Sequence, residues 1–261
     1  MLGKLLKHEM KAVTRLLLPI YAVLVVFTIA ARIIVNLEFN GVFTMIPAAV
    51  LTFYVFSLVA IAVVSTVIII YRFYKNMVTD EGYLMFTLPV KPSQLINSKL
   101  IISAFWTILS VITIVLSIAI VVLTPENLAS FREGWQDMLR AMKNDLGIAN
   151  TSLFFIEILV IMFLSTINGI LCIYACIAVG QLFNGHKVLG SFVVYIVYTV
   201  IVQVITTILT IAGSNYPIRY SDATAFITKI IFPVVIIFTL ILSAIFYLVT
   251  NYMFNKKLNL E

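Results

Sequence analysis

The sequence predicts an all-α integral membrane protein with six transmembrane helices and an N-terminal amphipathic helix. Of its 261 residues, 62% are hydrophobic and only 11% are charged, and the mean hydropathy is +1.13. Soluble domains carry about 45–50% apolar and about 25% charged residues. The chain therefore has more apolar surface than a soluble core of this length can bury, and the excess must face lipid. The same composition excludes a disordered chain, a collagen and a disulfide scaffold.

Six apolar segments are long enough to cross a bilayer, whose hydrocarbon core of about 30 Å requires roughly 20 helical residues. They must be helical, because lipid offers no hydrogen-bond partner to open backbone amides. Their sequences also lack the alternating polarity of a lipid-facing β-strand. We expect a single transmembrane domain over residues 1–261. Its spans cover about 16–35, 42–71, 100–123, 152–179, 188–212 and 228–252.

The distribution of basic residues predicts that both termini are cytoplasmic. An even number of spans places the two ends on one side of the membrane. With the amino terminus inside, 11 of the 17 basic residues lie on the cytoplasmic side and six lie on the other. Lysine and arginine are enriched in cytoplasmic loops. We therefore expect a multi-pass protein of the plasma membrane in this orientation.

Residues 1–15 predict an interfacial amphipathic helix. Leucines at helical spacing form one face, and Lys4, Lys7, Lys11 and Arg15 form the other. Such a helix can lie at an anionic cytoplasmic leaflet. The alternative is an ordinary positive flank that orients the first span.

Residues 124–151 predict an external amphipathic helix between the third and fourth spans. Thr124 is a good N-cap, with Pro125 and Glu126 behind it. Apolar side chains then recur at helical intervals, and Gly147 can end the helix. This helix could cover an exit path, or it could be a packing element at the membrane surface.

Residues 72–99 form a long loop between the second and third spans. Thr79 or Asp80 can cap a short helix there, and the prolines that follow break it. Tyr83 and Leu84 would give this helix exposed apolar side chains. On the predicted cytoplasmic side, such a surface suits a soluble partner with a hydrophobic groove.

The loop contains D-E-G-Y-L-x-x-T-L-P-V at 80–90, followed by Q-L-x-x-S-K-L at 94–100. With six spans and a basic N-terminal helix, this pattern resembles permease subunits of ABC-2 type ABC transporters from low-GC Gram-positive bacteria. In that family the loop holds the coupling helix, which docks in a cleft of a separate ATPase. The resemblance implies that the ATPase-coupling residues are Asp80, Glu81, Gly82, Tyr83, Leu84, Thr87, Leu88 and Pro89.

The resemblance also implies a function: export of a drug, an antimicrobial peptide or a lipid-like molecule from the bacterial cell. The partners would be a cytoplasmic ABC ATPase subunit, a second permease copy or paralogue, and membrane lipids. One departure is the external helix between spans three and four, since many family members have their main external elaboration between spans five and six. The two acids of the loop can alternatively serve only to cap a helix N-terminus, where acids are favoured.

The chain itself carries no motif for catalysis. The segment 180–187 has two P-loop-like glycines, but His186 stands where the lysine must be. The two histidines lack neighbouring metal ligands, and the basic residues show no aromatic interleaving typical of nucleic-acid binding. We therefore expect no enzyme activity, cofactor, metal or nucleic acid for this chain, with ATP and magnesium held by the partner ATPase.

Polar residues inside the spans suggest a translocation surface. Thr199, Gln203, Thr206 and Thr210 lie on one face of span five, and Glu157 lies within span four. Serines and threonines form a comparable stripe on span three. The alternative for these groups is helix packing, because Ser and Thr often bond their own backbone.

Two other functions remain open. A membrane sensor or immunity protein would bind a peptide or lipid without pumping and would use the external helix as its receptor surface. A secondary transporter would need a coupling-ion site, for which Glu157 is the only acid within the spans.

Overall fold

The structure, a computed structural model, describes residues 2–37, 45–79, 81–82, 85, 87, 90–144, 148, 150–183, 185–214 and 227–256. Every regular element among these residues is helical. Six of the helices are long and apolar enough to span a membrane. The predicted all-α membrane fold with six spans is confirmed.

Seven α-helices follow one another in the described parts of the chain. A π-helical turn, Ile227–Ile231, leads directly into the last of them. Pro233 lies just after this turn and cannot donate a backbone hydrogen bond into it, which favours the wider winding. The helices are α1 Leu2–Val35, α2 Met45–Val78, α3 Pro92–Val122, α4 Pro125–Asn144, α5 Thr151–Gly180, α6 Lys187–Ser214 and α7 Phe232–Lys256.

Three helices extend beyond the apolar segments that predict them. α1 begins at Leu2 and continues without a break into the first span, so residues 2–15 and the span form one helix. α2 continues past residue 71 to Val78, and α3 begins at Pro92, before residue 100. Hydropathy marks where the membrane starts, whereas a helix continues until a capping or breaking residue ends it. Proline is favoured at the first position of a helix, which explains the start of α3.

The chain divides into two compact units, and each packs around its own core. Unit 1 comprises Met1–Arg72 and Asn97–Trp135. It therefore contains α1, most of α2 and α3, and the start of α4. Two buried clusters join its helices: Leu24, Ala31, Tyr54, Ile61 and Val121 in one, and Val13, Leu17, Ile102 and Trp106 in the other.

The N-terminal part of α1 packs against unit 1. Leu6 and Met10 contact the cluster that contains Val13 and Leu17. The lysines of the opposite face are exposed. The apolar side of this segment is therefore used for packing within the unit, and its cationic side faces outward.

Two serines of α3 join all three long helices of unit 1. Ser110 Oγ lies 2.7 Å from the Tyr21 hydroxyl and 3.1 Å from Ser65 Oγ. Seven residues further along, a second hydroxyl layer consists of the bonds from Ser117 Oγ to Thr28 Oγ1, at 2.7 Å, and to the Tyr54 hydroxyl, at 3.0 Å. These serines of the third span therefore serve to pack helices together. This is the alternative to a translocation surface that the sequence left open for the polar stripe of that span.

Unit 2 comprises Phe73–Ile96 and Gln136–Glu261, with α5 at its centre. From Ile170 to Gly180, α5 is almost entirely buried. Asn168 Nδ2 donates to Ser243 Oγ of α7 at 3.1 Å. Near the end of α5, Gly180 lies against α6: a Cβ atom added there would be 2.6 Å from the backbone nitrogen of Ser191.

We expect Gly180→Ala to destabilise the protein, because the new methyl group would overlap backbone and side-chain atoms of Ser191. Gly169→Ala is the matched control on the same helix, since a Cβ atom at Gly169 meets nothing within 4 Å. Alanine there should be neutral or stabilise by up to about 1 kcal/mol. Thermal unfolding in detergent checks both variants, and equal melting temperatures would contradict the close α5–α6 approach.

Candidate functional site: an ion cluster and the base of the 72–99 loop

Three charged side chains, each from a different helix, meet inside unit 1. Glu9 Oε2 of α1 accepts a hydrogen bond from Arg72 Nη2 of α2 at 2.8 Å, and Glu9 Oε1 accepts one from Lys99 Nζ of α3 at 2.6 Å. The side chains of Glu9, Arg72 and Lys99 are only 8%, 18% and 4% exposed. We call these three residues the ion cluster.

Helical geometry places Glu9 in this position. It is buried on the same side of α1 as Val13 and Leu17, four and eight residues further on. Glu9 is not among the residues predicted from the sequence, where the cations dominate the polar pattern of this segment. The missed signal is an acid that continues the apolar stripe of the helix, on the side away from the lysines.

The charges of the ion cluster stabilise one another. Burial by itself raises the pKa of the Glu9 carboxyl. The Lys99 ammonium and the Arg72 guanidinium together lower this pKa by more than burial raises it, so the pKa lies below its ordinary value. The carboxylate is thus ionised at neutral pH and uses both oxygens. With one acid and two bases, the cluster has a net charge of about +1.

Acid should weaken the ion cluster. Because the folded-state pKa of Glu9 is depressed, the carboxylate stabilises the fold above its ordinary pKa of 4.5, and this contribution is lost as the pH falls through the lower folded value. We expect the wild-type melting temperature in detergent to fall more steeply than that of Glu9→Gln between about pH 5 and pH 3. Parallel pH profiles for the two proteins would count against this role of Glu9.

The ion cluster lies at both ends of the predicted 72–99 loop. Arg72 is the first residue of the loop and Lys99 is the last. Both are bonded to the same carboxylate of α1. In the structure Arg72 and Lys99 lie on α2 and α3, about two turns from the helix ends at Val78 and Pro92. Unit 1 therefore fixes the two helices that carry the loop, and a displacement of either helix at this level acts directly on α1.

In unit 2, the adjoining residues of the loop form a packed base. The Phe73 ring stacks on Tyr174 of α5, with centroids 3.6 Å apart, and lies edge-on to Phe254 of α7 at 5.9 Å. In the first turns of α3, where the chain returns from the loop, Leu95 and Ile96 are fully buried. This base anchors the loop by aromatic and aliphatic packing.

The structure describes three of the predicted coupling residues. Glu81 is exposed and pairs with Lys75 of α2, with Oε1 and Nζ 3.0 Å apart. Gly82 is buried, and a Cβ atom there would lie 2.8 Å from the backbone carbon of Met77. Thr87 is exposed. The other predicted coupling residues lie outside the described part of the chain: Asp80, Tyr83, Leu84, Leu88 and Pro89.

The predicted translocation residues lie on two helices of unit 2. Glu157 is half-buried on α5, and the polar stripe of α6 is exposed. The threonine hydroxyls of this stripe donate to carbonyls of their own helix: Thr199 to Tyr195 at 2.6 Å, Thr206 to Gln203 at 3.0 Å and Thr210 to Thr206 at 2.8 Å. The hydroxyl groups are thereby satisfied without a second helix, whereas Gln203 presents an exposed amide.

Family models, curated proteins and solved structures all give no match to this chain. The fold defines a multi-pass α-helical membrane protein. A function more specific than this class of protein therefore rests on the residues of this chain alone.

Proposed function

We propose that this chain is the membrane-spanning permease subunit of an ATP-driven exporter in the bacterial cell membrane. It couples a separate cytoplasmic ATPase to the export of a drug, an antimicrobial peptide or a lipid-like molecule. The single observation that carries this proposal is the anchoring of the 72–99 loop, whose two ends are bonded to one buried carboxylate.

A coupling loop must transmit a movement of the ATPase to the membrane helices. Loosely held helices would absorb such a movement, whereas the two helices that carry this loop are tied to α1 by charge-assisted hydrogen bonds of 2.8 and 2.6 Å. The next residue, Phe73, is stacked on α5. Movement of the loop ends is thus transmitted to α1 through Glu9 and to α5 through the ring contact.

The tip of the loop is the docking element of this proposal. Tyr83 and Leu84 are the apolar side chains that enter a groove of the ATPase. The Glu81–Lys75 ion pair supports the orientation of the tip on the end of α2. ATP and magnesium are bound by the partner, and both termini of this chain lie in the cytoplasm, as the positive-inside rule favours.

The polar stripe of α6 supports a role in translocation. An exposed amide on a membrane-crossing helix is costly in lipid and tends to face protein or water. In a dimer, Gln203 and the flanking threonines would face a second copy or a paralogue across the substrate path. The half-buried Glu157 would lie on the adjoining helix α5.

The test is ATP turnover by the proposed partner ATPase, sought among the adjoining genes and measured with the purified permease in lipid vesicles. We expect Tyr83→Ala/Leu84→Ala to abolish the stimulation of turnover by the permease. Leu182→Ala/Leu189→Ala is the matched control, because it removes two exposed apolar side chains from the connection between α5 and α6. Unchanged stimulation in the loop variant would reject the proposal and favour a sensor or immunity protein.

A further inference from the structure

Helix α4 has one apolar face and one charged face. Apolar side chains recur at intervals of three and four residues, which places them on one side of the helix. The remaining surface carries three acidic and three basic residues, so α4 as a whole is electrically neutral. The apolar face consists of Leu128, Phe131, Trp135, Met138, the half-buried Leu139 and Met142.

Most of this apolar face is exposed. Leu128, Phe131, Trp135 and Met138 are 39–54% exposed, whereas Met142, at the end of the row, is buried. The N-terminal segment of α1 is different, since its apolar side packs against unit 1. A row of four large apolar side chains in contact with water would be unfavourable, so another surface must cover it.

The position of α4 in the chain identifies this surface. The membrane-spanning helix α3 ends at Val122, and α4 begins at Pro125. The turn between them is tight: Thr124 accepts a hydrogen bond from the Asn127 backbone nitrogen through its hydroxyl at 3.2 Å, as predicted for an N-cap. At the other end, the next span begins at Thr151. Both ends of α4 therefore lie within seven residues of a membrane span.

We infer that α4 lies in the lipid headgroup region and binds the bilayer through Leu128, Phe131, Trp135 and Met138. Ile120 and Val122, at the end of the preceding membrane span, are also exposed apolar residues. Aromatic side chains at helical spacing are typical of interfacial helices. Because α4 carries no net charge, its binding to the bilayer does not require anionic lipid, and zwitterionic lipid is sufficient. The inference rests on α4 alone and holds for any function of the chain.

Tryptophan fluorescence tests this arrangement, because the chain has only two tryptophans. Trp106→Phe leaves Trp135 as the single reporter. Trp106 is buried, and its ring nitrogen has no hydrogen-bond partner among the described residues, so phenylalanine should fit. In phosphatidylcholine vesicles, we expect lipids brominated near the headgroup to remove most of the Trp135 emission. Lipids brominated near the chain ends should remove less, and aqueous iodide should remove little.

Strong quenching by iodide without quenching by brominated lipid would overturn the inference, since Trp135 would then lie in water. Weak quenching by both would also overturn it, and would point to a second copy of the chain as the cover.

A second measurement avoids the Trp106 substitution. In a background with Cys172 and Cys176 replaced by alanine, spin labels at Phe131→Cys and Glu133→Cys compare the two faces. We expect the label at 131 to be relaxed mainly by oxygen and the label at 133 mainly by a water-soluble nickel chelate. Equal accessibility of the two labels to the chelate would contradict a lipid-bound apolar face.

Discussion

Glu9→Gln is expected to lower the free energy of unfolding by about 3–5 kcal/mol, because it leaves two buried cations without their acid. Glutamine has nearly the same shape as glutamate, so the loss reports the charge and not a cavity. The two bonds that lose their carboxylate are those to Arg72 Nη2 and Lys99 Nζ. Chemical unfolding in detergent at neutral pH measures the change.

An exposed ion pair is the control. Arg140 and Asp137 of α4 lie 3.2 Å apart, but both side chains are about 70% exposed. Asp137→Asn should therefore change the free energy of unfolding by no more than about 0.5 kcal/mol. If Glu9→Gln costs no more than Asp137→Asn, the ion cluster does not hold the three helices of unit 1 together.

Adding Lys99→Met to Glu9→Gln should recover part of the loss. The double variant keeps one of the two buried cations that face position 9, whereas Glu9→Gln keeps both. Residues in one ion network are coupled, so the two substitutions should not add. A double variant with the full sum of the two single losses would show that Glu9 and Lys99 act independently.

Phe73→Ala is expected to destabilise unit 2 by about 3–5 kcal/mol, which is the usual cost of truncating a buried aromatic side chain. Phe73 is fully buried, and its ring stacks on Tyr174 at a centroid distance of 3.6 Å. It also lies beyond the predicted end of the second span at residue 71. Burial of the Phe73 ring therefore removes it from water and gains hydrophobic free energy. Burial of a residue that would otherwise face lipid brings no such gain. Unfolding in detergent measures this loss.

Phe56→Ala is the control, because Phe56 belongs to the same helix but is largely exposed. It should leave stability nearly unchanged. Phe73→Leu should lie between wild type and Phe73→Ala, since leucine fills part of the space but cannot stack. A Phe73→Ala protein as stable as Phe56→Ala would contradict the packed loop base.

The six spans could be predicted from the sequence, because the length and apolar composition of a membrane crossing are fixed by the bilayer. The end of α2 could not, because its last turns lie outside the apolar window and no residue there breaks the helix. For α1, the amphipathic pattern of residues 1–15 predicts the helix but not its unbroken continuation into the first span. The N-cap at Thr124 was predictable because it depends on a local side-chain bond, which the structure confirms.

The ion cluster could not be predicted by the same reasoning. Glu9, Arg72 and Lys99 are far apart in the sequence, and their meeting depends on how three helices are rotated about their axes. Hydropathy carries no information about that rotation. The serines of α3 show the same difficulty: their spacing gives a polar stripe, but only tertiary structure shows that Ser110 contacts Tyr21 and Ser65.

The proposed function requires that the 72–99 loop binds an ATPase, and photo-crosslinking in cells tests this requirement most directly. A photoreactive amino acid replaces Tyr83 while the proposed partner ATPase is expressed, and the same residue placed at Phe131 on α4 is the control. We predict a covalent adduct with the ATPase from position 83 and none from position 131. No adduct at 83, with both proteins present at normal levels, would contradict the claim.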